Sequence, residues 1–295
     1  MTKSKRLISL GLIFTLLLCM TILPATAARR GWELTTKRIW DKRVESYPSV
    51  PVTVNGKPLS EPALLMNDTT YITLRSFSDL LVNAEITYSR IARSATIQAN
   101  GLTLVAVDGG HVITANDRPL FTMTPTVIMN NGKMYVPIRP MAKAYGVNVL
   151  WNDASRSVRV SGAVRFLSSA DAYYNADDLY WLSRIISAES RGEPLLGQIA
   201  VGTVVLNRKR SSQYPNTIYG VIFDKKYGMQ FSPTLDGSVY KAPHYTSVMA
   251  AKICLEGFTL GDEVLFFLEP RISTSSWIIE NRRYAFSIGN HDFYY

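Results

Sequence analysis

The stretch from Pro51 to Gly162 is written twice, and no other feature of the chain constrains its fold so tightly. Asn55-Gly56-Lys57-Pro58-Leu59 returns 61 residues later as Asn116-Asp117-Arg118-Pro119-Leu120. Asp68-Thr69-Thr70-Tyr71-Ile72-Thr73-Leu74-Arg75 returns 64 residues later as Gly132-Lys133-Met134-Tyr135-Val136-Pro137-Ile138-Arg139. Each copy runs on into a short helical stretch, residues 77–82 and 141–145. Matching strands then start at Ile86-Thr87-Tyr88 and Val149-Leu150-Trp151, and both copies close on Ser94-Ala95-Thr96-Ile97 or Ser157-Val158-Arg159-Val160. So steady an offset marks a duplicated unit of strand, turn, strand, short helix and hairpin. The Asn-Gly and Asn-Asp pairs, with Trp151-Asn152-Asp153 in the second copy, carry the turn chemistry such a unit needs. A β-rich domain over residues 51–162 follows.

In front of it, Met1-Thr2-Lys3-Ser4-Lys5-Arg6 precedes an apolar run from Leu7 to Leu23 and then Pro24-Ala25-Thr26-Ala27. A basic start, a short apolar core and an Ala-x-Ala exit read as a secretory signal over residues 1–27, with an uncleaved anchor as the alternative. Cys19 lacks the small residue that a lipid-attachment site places before its cysteine. Cleavage removes three cations and no acid, taking the net charge from +9 to 9 − 3 = +6. A basic exported chain is drawn to polyanionic surfaces such as a cell wall. With no basic stripe or aromatic-interleaved motif, nucleic acid is not indicated. No second apolar run is long enough to span a bilayer, so no stable membrane insertion is expected once the signal is gone. Only Cys254 would remain, which rules out an intramolecular disulfide. Residues 28–50 are a basic tether and 163–174 a connector.

From residue 175 the periodicity changes to helical, so the chain as a whole is α+β: a β-rich duplicated domain, then a mainly helical one with a small C-terminal sheet. Asn175-Ala176-Asp177-Asp178 is a helix start, a cap candidate with acids in the first turn. Leu182, Ile185 and Ile186 stand seven, four and three residues before Glu189, so this carboxylate is in phase with the apolar stripe. Partial burial would raise its pKa, the condition for a general acid near neutral pH. The structural alternative is a pair with Arg184 or Arg191. Pro194 opens a second helix, to about Arg208, apolar all round and therefore buried. Glu193 suits the positive end of that helix. Thr203 and Asn207, four apart on one face, either hydrogen-bond in the core or line a cleft. Loop text from Tyr214 to Gly237 is rich in aromatics and amides suited to sugars. A third helix is expected from His244 to Glu256, closed by Gly257. Strand-like text follows at 264–268, Trp277-Ile278-Ile279 and 284–293.

Two resemblances bear on function. The second copy of the duplication is similar to the copper amine oxidase N-terminal-like, or stalk, domain of secreted bacterial proteins. That implies a wall-facing spacer or binding module but not copper, since the segment has one histidine, His111, and no cysteine. Residues 175–295 resemble the SleB-type cell wall hydrolase domain, the catalytic domain of spore cortex-lytic enzymes. The resemblance is carried by Ala188-Glu189-Ser190-Arg191-Gly192-Glu193-Pro194, Gly197-Gln198 with Ala200-Val201, Val205-Leu206-Asn207-Arg208, Gln230-Phe231-Ser232, Asp236-Gly237, Gly257, Phe266-Phe267, Trp277 and Ile288-Gly289-x-His291-x-Phe293. Ser190 replaces the family's usual Ala, and Glu269-Pro270 its Asn-Pro.

That resemblance implies a lysozyme-like fold, a single catalytic acid at Glu189, and lytic transglycosylase chemistry on the N-acetylmuramic acid–N-acetylglucosamine bond of peptidoglycan, in spore cortex or vegetative wall. Thr203, Gln230, Phe231, Ser232, Asp236, Trp277, Tyr284 and His291 are the candidate supporting or substrate-binding residues. For His291 a structural hydrogen bond is the competing role. No cofactor and no metal are expected. The alternatives are a muramidase-type hydrolase, for which Asp236 would be the second carboxylate, and a non-catalytic wall-binding protein.

Overall fold

The computed structural model describes residues 42–226, 228–273 and 276–295. The expected signal segment, and the tether up to residue 41, lie outside them. The protein is α+β, with a β-rich part followed by a helical part that carries a small sheet. Among the described residues no helix is long and apolar enough to cross a membrane.

The duplication folds about itself. Strands Thr69–Thr73 and Met134–Pro137, equivalent in the two copies, pair antiparallel with Ile72 opposite Val136. Tyr71 faces Pro137 and Thr73 faces Tyr135, so the two copies meet across a pseudo-two-fold axis. Ala63–Met66 and Ser49–Val50 extend this sheet on one side and Val127–Ile128 on the other. In a second sheet, Glu85–Ser89, Ser94–Ala99, Leu102–Val107, Val112–Ala115 and Arg118–Phe121 follow one another as an antiparallel meander. The third sheet is a swap between copies. The first copy's Val52–Val54 lies parallel to Ser157–Ser161 of the second, beside Asn148–Asn152. Helices α1 (Leu74–Leu81) and α2 (Ile138–Tyr145) occupy equivalent places after the paired strands. Thr73 caps α1 by accepting from Ser76 N–H, and Gly146 ends α2 at φ 65°. Phe77, Ile97, Leu104, Ile113, Met141 and Tyr145 fill the shared core. Residues 44–50, expected to be tether, join this module, with Val44 and Tyr47 packed on Leu64, Met66 and Tyr135.

The connector contains a single helical turn, α3 (Ala170–Tyr173), and leads into α4 (Ala176–Ser190). Asn175 caps α4, its side-chain oxygen accepting from Asp177 and Asp178 N–H. Helix α5 (Leu195–Arg210) is buried on every side, as its continuous apolar text requires. A Cβ at Gly202 would come within 2.8 Å of both Ile186 and Cys254, so the absence of a side chain there lets α5 approach its neighbours. Residues 218–222, expected as loop, form α6 (Ile218–Ile222), capped by Thr217 and burying Ile218, Val221 and Ile222. Helix α7 (Tyr245–Leu255) runs back along α4: His244 N–H donates to Ser187 Oγ at one end, and Lys252 lies over Tyr174 at the other. Residues 277–281, expected as a strand, form α8 (Trp277–Asn281) instead. They pack on the strand Phe266–Leu268 through Trp277 and Phe266 without joining its ladder, and Asn281 closes the turn by donating to Trp277 O. The small sheet has Phe266–Leu268 and Tyr284–Ile288 flanking the later His291–Tyr294.

The β-rich and helical parts share an interface. Glu256, just past α7, accepts from Arg118 Nε (2.7 Å) and Nη2 (3.0 Å), from Lys143 Nζ (2.8 Å) and from Tyr174 Oη (2.7 Å). The Arg118 guanidinium also stacks 3.3 Å from the centre of the Tyr173 ring. Burial alone would raise the Glu256 pKa, but these three donors overcome it and hold the carboxyl below its ordinary range. Phe121 packs edge-on against Phe258 beside this network.

Candidate functional site

Glu189 is the last residue but one of α4, one turn beyond Ile185 and Ile186 on the stripe that faces the helical core. Its carboxyl makes no hydrogen bond or ion pair within 4 Å among the described residues. Burial pushes its pKa up to about 7. The positive charge of Arg208 pulls it down and the negative charge of Asp236 pushes it further up, both by less than the burial does. At neutral pH such a group is divided between acid and carboxylate, the state in which it can both give and take a proton.

The turn carrying Glu189 is fastened on two sides. Gln198, buried in α5, donates to Glu193 O (2.9 Å) and accepts from Ser247 Oγ (2.7 Å), tying the α4–α5 turn to the start of α7. Glu193 accepts from Asn290 N–H (2.9 Å) and Nδ2 (2.8 Å), holding the turn to the C-terminal hairpin. Gly289 completes that contact: it sits at φ 57°, and a Cβ there would fall 1.8 Å from Glu193 Oε2. Glu193 therefore has a structural role just before α5, its two carboxylate oxygens held by Asn290.

Arg208 is the charged residue that sequence reasoning placed only inside a motif. It is buried, donates from Nε to Leu265 O (2.8 Å), and lies among the rings of Tyr214, Phe231 and Phe266 at 5.1 to 5.6 Å. Its Nη1 is buried without a partner among the described residues. Burial lowers its pKa, opposed by Tyr214, Asp224 and Glu189. Cation–ring contacts replace much of the lost hydration, which lets a cation stay inside the fold. An aromatic cluster was also missed. Trp181 of α4 meets Tyr180, Tyr219, Phe223 and Tyr240 edge-on, at 4.9 to 6.1 Å between ring centres. The Tyr180-Trp181 pair and the tyrosines of the following loops were its visible signal; the convergence was not.

The expected supporting residues separate into groups. Asp236 is exposed, accepts from Ser238 N–H (2.8 Å) and is held below the ordinary carboxylate range by Ser238. It lines a pocket of about 280 Å³ with Arg184, Ser187, Ala188, Arg191 and Lys241, beside the end of α4. Phe231 is buried at 1 % exposure, so it packs on Arg208 and Phe267 and offers no free ring face. Ser232 and Gln230 border it: Ser232 is exposed, and Gln230 donates to Gly228 O. Trp277 is half-exposed, against Phe266 and under Arg282. Tyr284 stays within the C-terminal hairpin, its hydroxyl 2.8 Å from Ser287 Oγ. Thr203 is a core residue, with its hydroxyl donating to Ile199 O (2.9 Å) and accepting from Leu260 N–H (3.3 Å). His291 is buried behind Glu193, Nδ1 to Oε1 3.9 Å, and burial lowers its pKa, which favours the neutral ring. Asn207 is also structural, donating to Gly261 O and Val264 O. No group of three or more metal-ligating side chains occurs among the described residues.

Comparison with known proteins matches both parts of the chain. Residues 192–294 match the family described as Cell Wall Hydrolase, and residues 53–160 match the Copper amine oxidase N-terminal domain. The first match begins three residues after Glu189. The spore cortex-lytic enzyme of Bacillus cereus is 37% identical over 120 residues, covering 41% of this chain and 45% of that protein. The spore cortex-lytic enzyme of Bacillus subtilis is 34% identical over 120 residues, covering 41% and 38%. This chain thus spans less than half the length of these curated relatives. The catalytic domain of the germination-specific lytic transglycosylase SleB from Bacillus anthracis is 36% identical, covers 41% of this chain and 97% of its own, and superposes with a TM-score of 0.38.

Proposed function

We propose, from the cell wall hydrolase domain that this chain carries at residues 192–294, that the protein is a secreted lytic transglycosylase that cleaves peptidoglycan with Glu189 as its one acid and base. Spore cortex is the proposed target, by similarity to the spore cortex-lytic enzymes, and the segment 1–27 is the proposed export signal. The observation that carries the reading is the Glu189 carboxyl: partly buried, without a hydrogen-bond partner among the described residues, and raised to about 7. Protonated, it donates to the glycosidic oxygen as the bond to the muramic anomeric carbon breaks. As carboxylate, it then takes the proton of the muramic 6-hydroxyl, whose oxygen closes on the anomeric carbon as a 1,6-anhydro ring. Bonds and protons balance without a water, and one carboxyl serves both steps.

The other acids nearby support a single-acid route. Both oxygens of Glu193 are engaged by Asn290, and Asp236 is exposed. Ordinary glycoside hydrolysis uses a second carboxylate at a set distance. The charge coupling between Glu189 and Asp236 favours Asp236 for that part and gives the second reading, a muramidase. Mass spectrometry of the released muropeptides separates the two. Anhydromuramic ends support the transglycosylase; reducing muramic ends, one water heavier, overturn it in favour of the hydrolase. A Glu189→Gln chain that releases material at the wild-type rate would overturn both.

A further inference from the structure

The duplicated module leaves a groove of about 460 Å³ open between two of its sheets. Leu65 and Thr70, opposite one another on the paired strands Ala63–Met66 and Thr69–Thr73, line one side. Val149 and Trp151, alternate residues of Asn148–Asn152, line the other with Val158. A β-sandwich usually fills such a space with interdigitating apolar side chains. Three features set this one apart. The Trp151 indole is fixed by its N–H, which donates to Asp153 Oδ1 at 2.6 Å. Thr70 is only 8 % exposed, yet its hydroxyl makes no hydrogen bond among the described residues. At the rim, the guanidinium groups of Arg139 and Arg156 make no hydrogen bond or ion pair among the described residues. Against these two cations, the lining has one carboxylate, Asp68.

The Thr70 hydroxyl lines the groove and is not spent on a protein partner among the described residues, so it can donate to or accept from a ligand hydroxyl there. A rigid aromatic face takes up the apolar face of a pyranose, and unpaired arginines recognise carboxylates through parallel N–H bonds. The volume lies within the range of about 300–1,000 Å³ usual for small-ligand sites. We infer that this groove is a binding site for a carboxylate-bearing saccharide, its sugar face on Trp151, a hydroxyl on Thr70 and its carboxylate on Arg139 and Arg156. Naming the saccharide as a peptide-substituted wall glycan rests on the function proposed above. The stalk-like module then holds the polymer that the helical part cuts, at a site separate from Glu189.

The test uses the full chain carrying Glu189→Gln, so that no ligand is consumed. It is titrated with a soluble disaccharide–tetrapeptide from peptidoglycan and with the same compound after amidation of its carboxylates. The reporter is the Trp151 indole N–H resonance, assigned by its loss in Trp151→Phe. A saturable shift with the acidic compound is expected, weakened about tenfold or more by amidation or by Arg139→Gln with Arg156→Gln. Both arginines are exposed, and an unchanged melting temperature of the double variant confirms its fold. An unmoved Trp151 resonance, or equal affinity in the double variant, overturns the groove. Muropeptide release by the Glu189 chain is scored separately. Release with an unmoved Trp151 defeats only the groove, whereas a shift without release defeats only the proposed function.

Discussion

Glu189 and Glu256 stand at opposite ends of the packed pair α4 and α7, each at the C-terminal end of its helix and each taken out of water. Their chemistry is opposite. Glu256 is met by Arg118, Lys143 and Tyr174 and is held ionised; Glu189 has no donor among the described residues and is pushed up to about 7. Burial acts in the same direction on both, so the partners decide which carboxyl is structural and which can exchange a proton. The structural one joins the two parts of the chain. The other, raised to about 7, is drawn back among the described residues by the charge of Arg208.

The largest effect expected from this contrast is on catalysis. Glu189→Gln should lower muropeptide release by about 10²–10⁴-fold, the usual worth of a general acid–base. Glu256→Gln, assayed well below its melting temperature, should retain activity; equal losses in the two variants would abolish the distinction. Next comes stability. Glu256→Ala leaves Arg118 buried and unpaired and should cost about 3–5 kcal/mol in denaturant unfolding. The Glu256 pKa is lowered on folding, so its contribution is present above the unfolded carboxyl pKa and is lost as pH falls through the folded value.

Glu189→Gln should have the reverse effect on stability. A carboxyl raised from 4.5 to about 7 on folding costs nothing below the unfolded value and destabilises increasingly as pH rises towards the folded one. The neutral amide avoids that cost, so the variant should be more stable than wild type at pH 8, by up to about 3 kcal/mol, with the gain gone at pH 4. Thermal melts at the two pH values check it. The smallest effect concerns Arg208, whose charge favours the Glu189 carboxylate. In Arg208→Gln the alkaline limb of kcat/KM, where Glu189 loses its proton, should move to higher pH by about one unit or less. An unmoved limb in a folded variant would show that Arg208 does not act on the acid.

How much of this was legible in the sequence depended on the range of each interaction. Glu189 stood out because its phase with Leu182, Ile185 and Ile186 is local to one helix, and the duplication because near-repeated text repeats its structure. Glu256 had no such signal. It read as the last residue of a helix before Gly257, and its partners Arg118 and Lys143 lie 138 and 113 residues away. Thr203 was ambiguous, since a hydroxyl four residues from Asn207 serves a core or a cleft equally well, and only the position of Leu260 N–H resolves it. Residues 277–281 misled through composition: Trp-Ile-Ile suits a strand, but the segment packs on Phe266–Leu268 through the Trp277 and Phe266 rings as a helical turn rather than adding to the sheet.

The order of strands in the last sheet has a consequence for biosynthesis. His291–Tyr294, made after both of its neighbours, is the strand that lies between them. A nascent chain that has not reached these residues can neither close the sheet nor present Asn290 to Glu193, so the turn bearing Glu189 is unfastened on that side during synthesis. Completion of the acid's setting thereby waits until residues 290–294 have been made, a form of timing written into strand order.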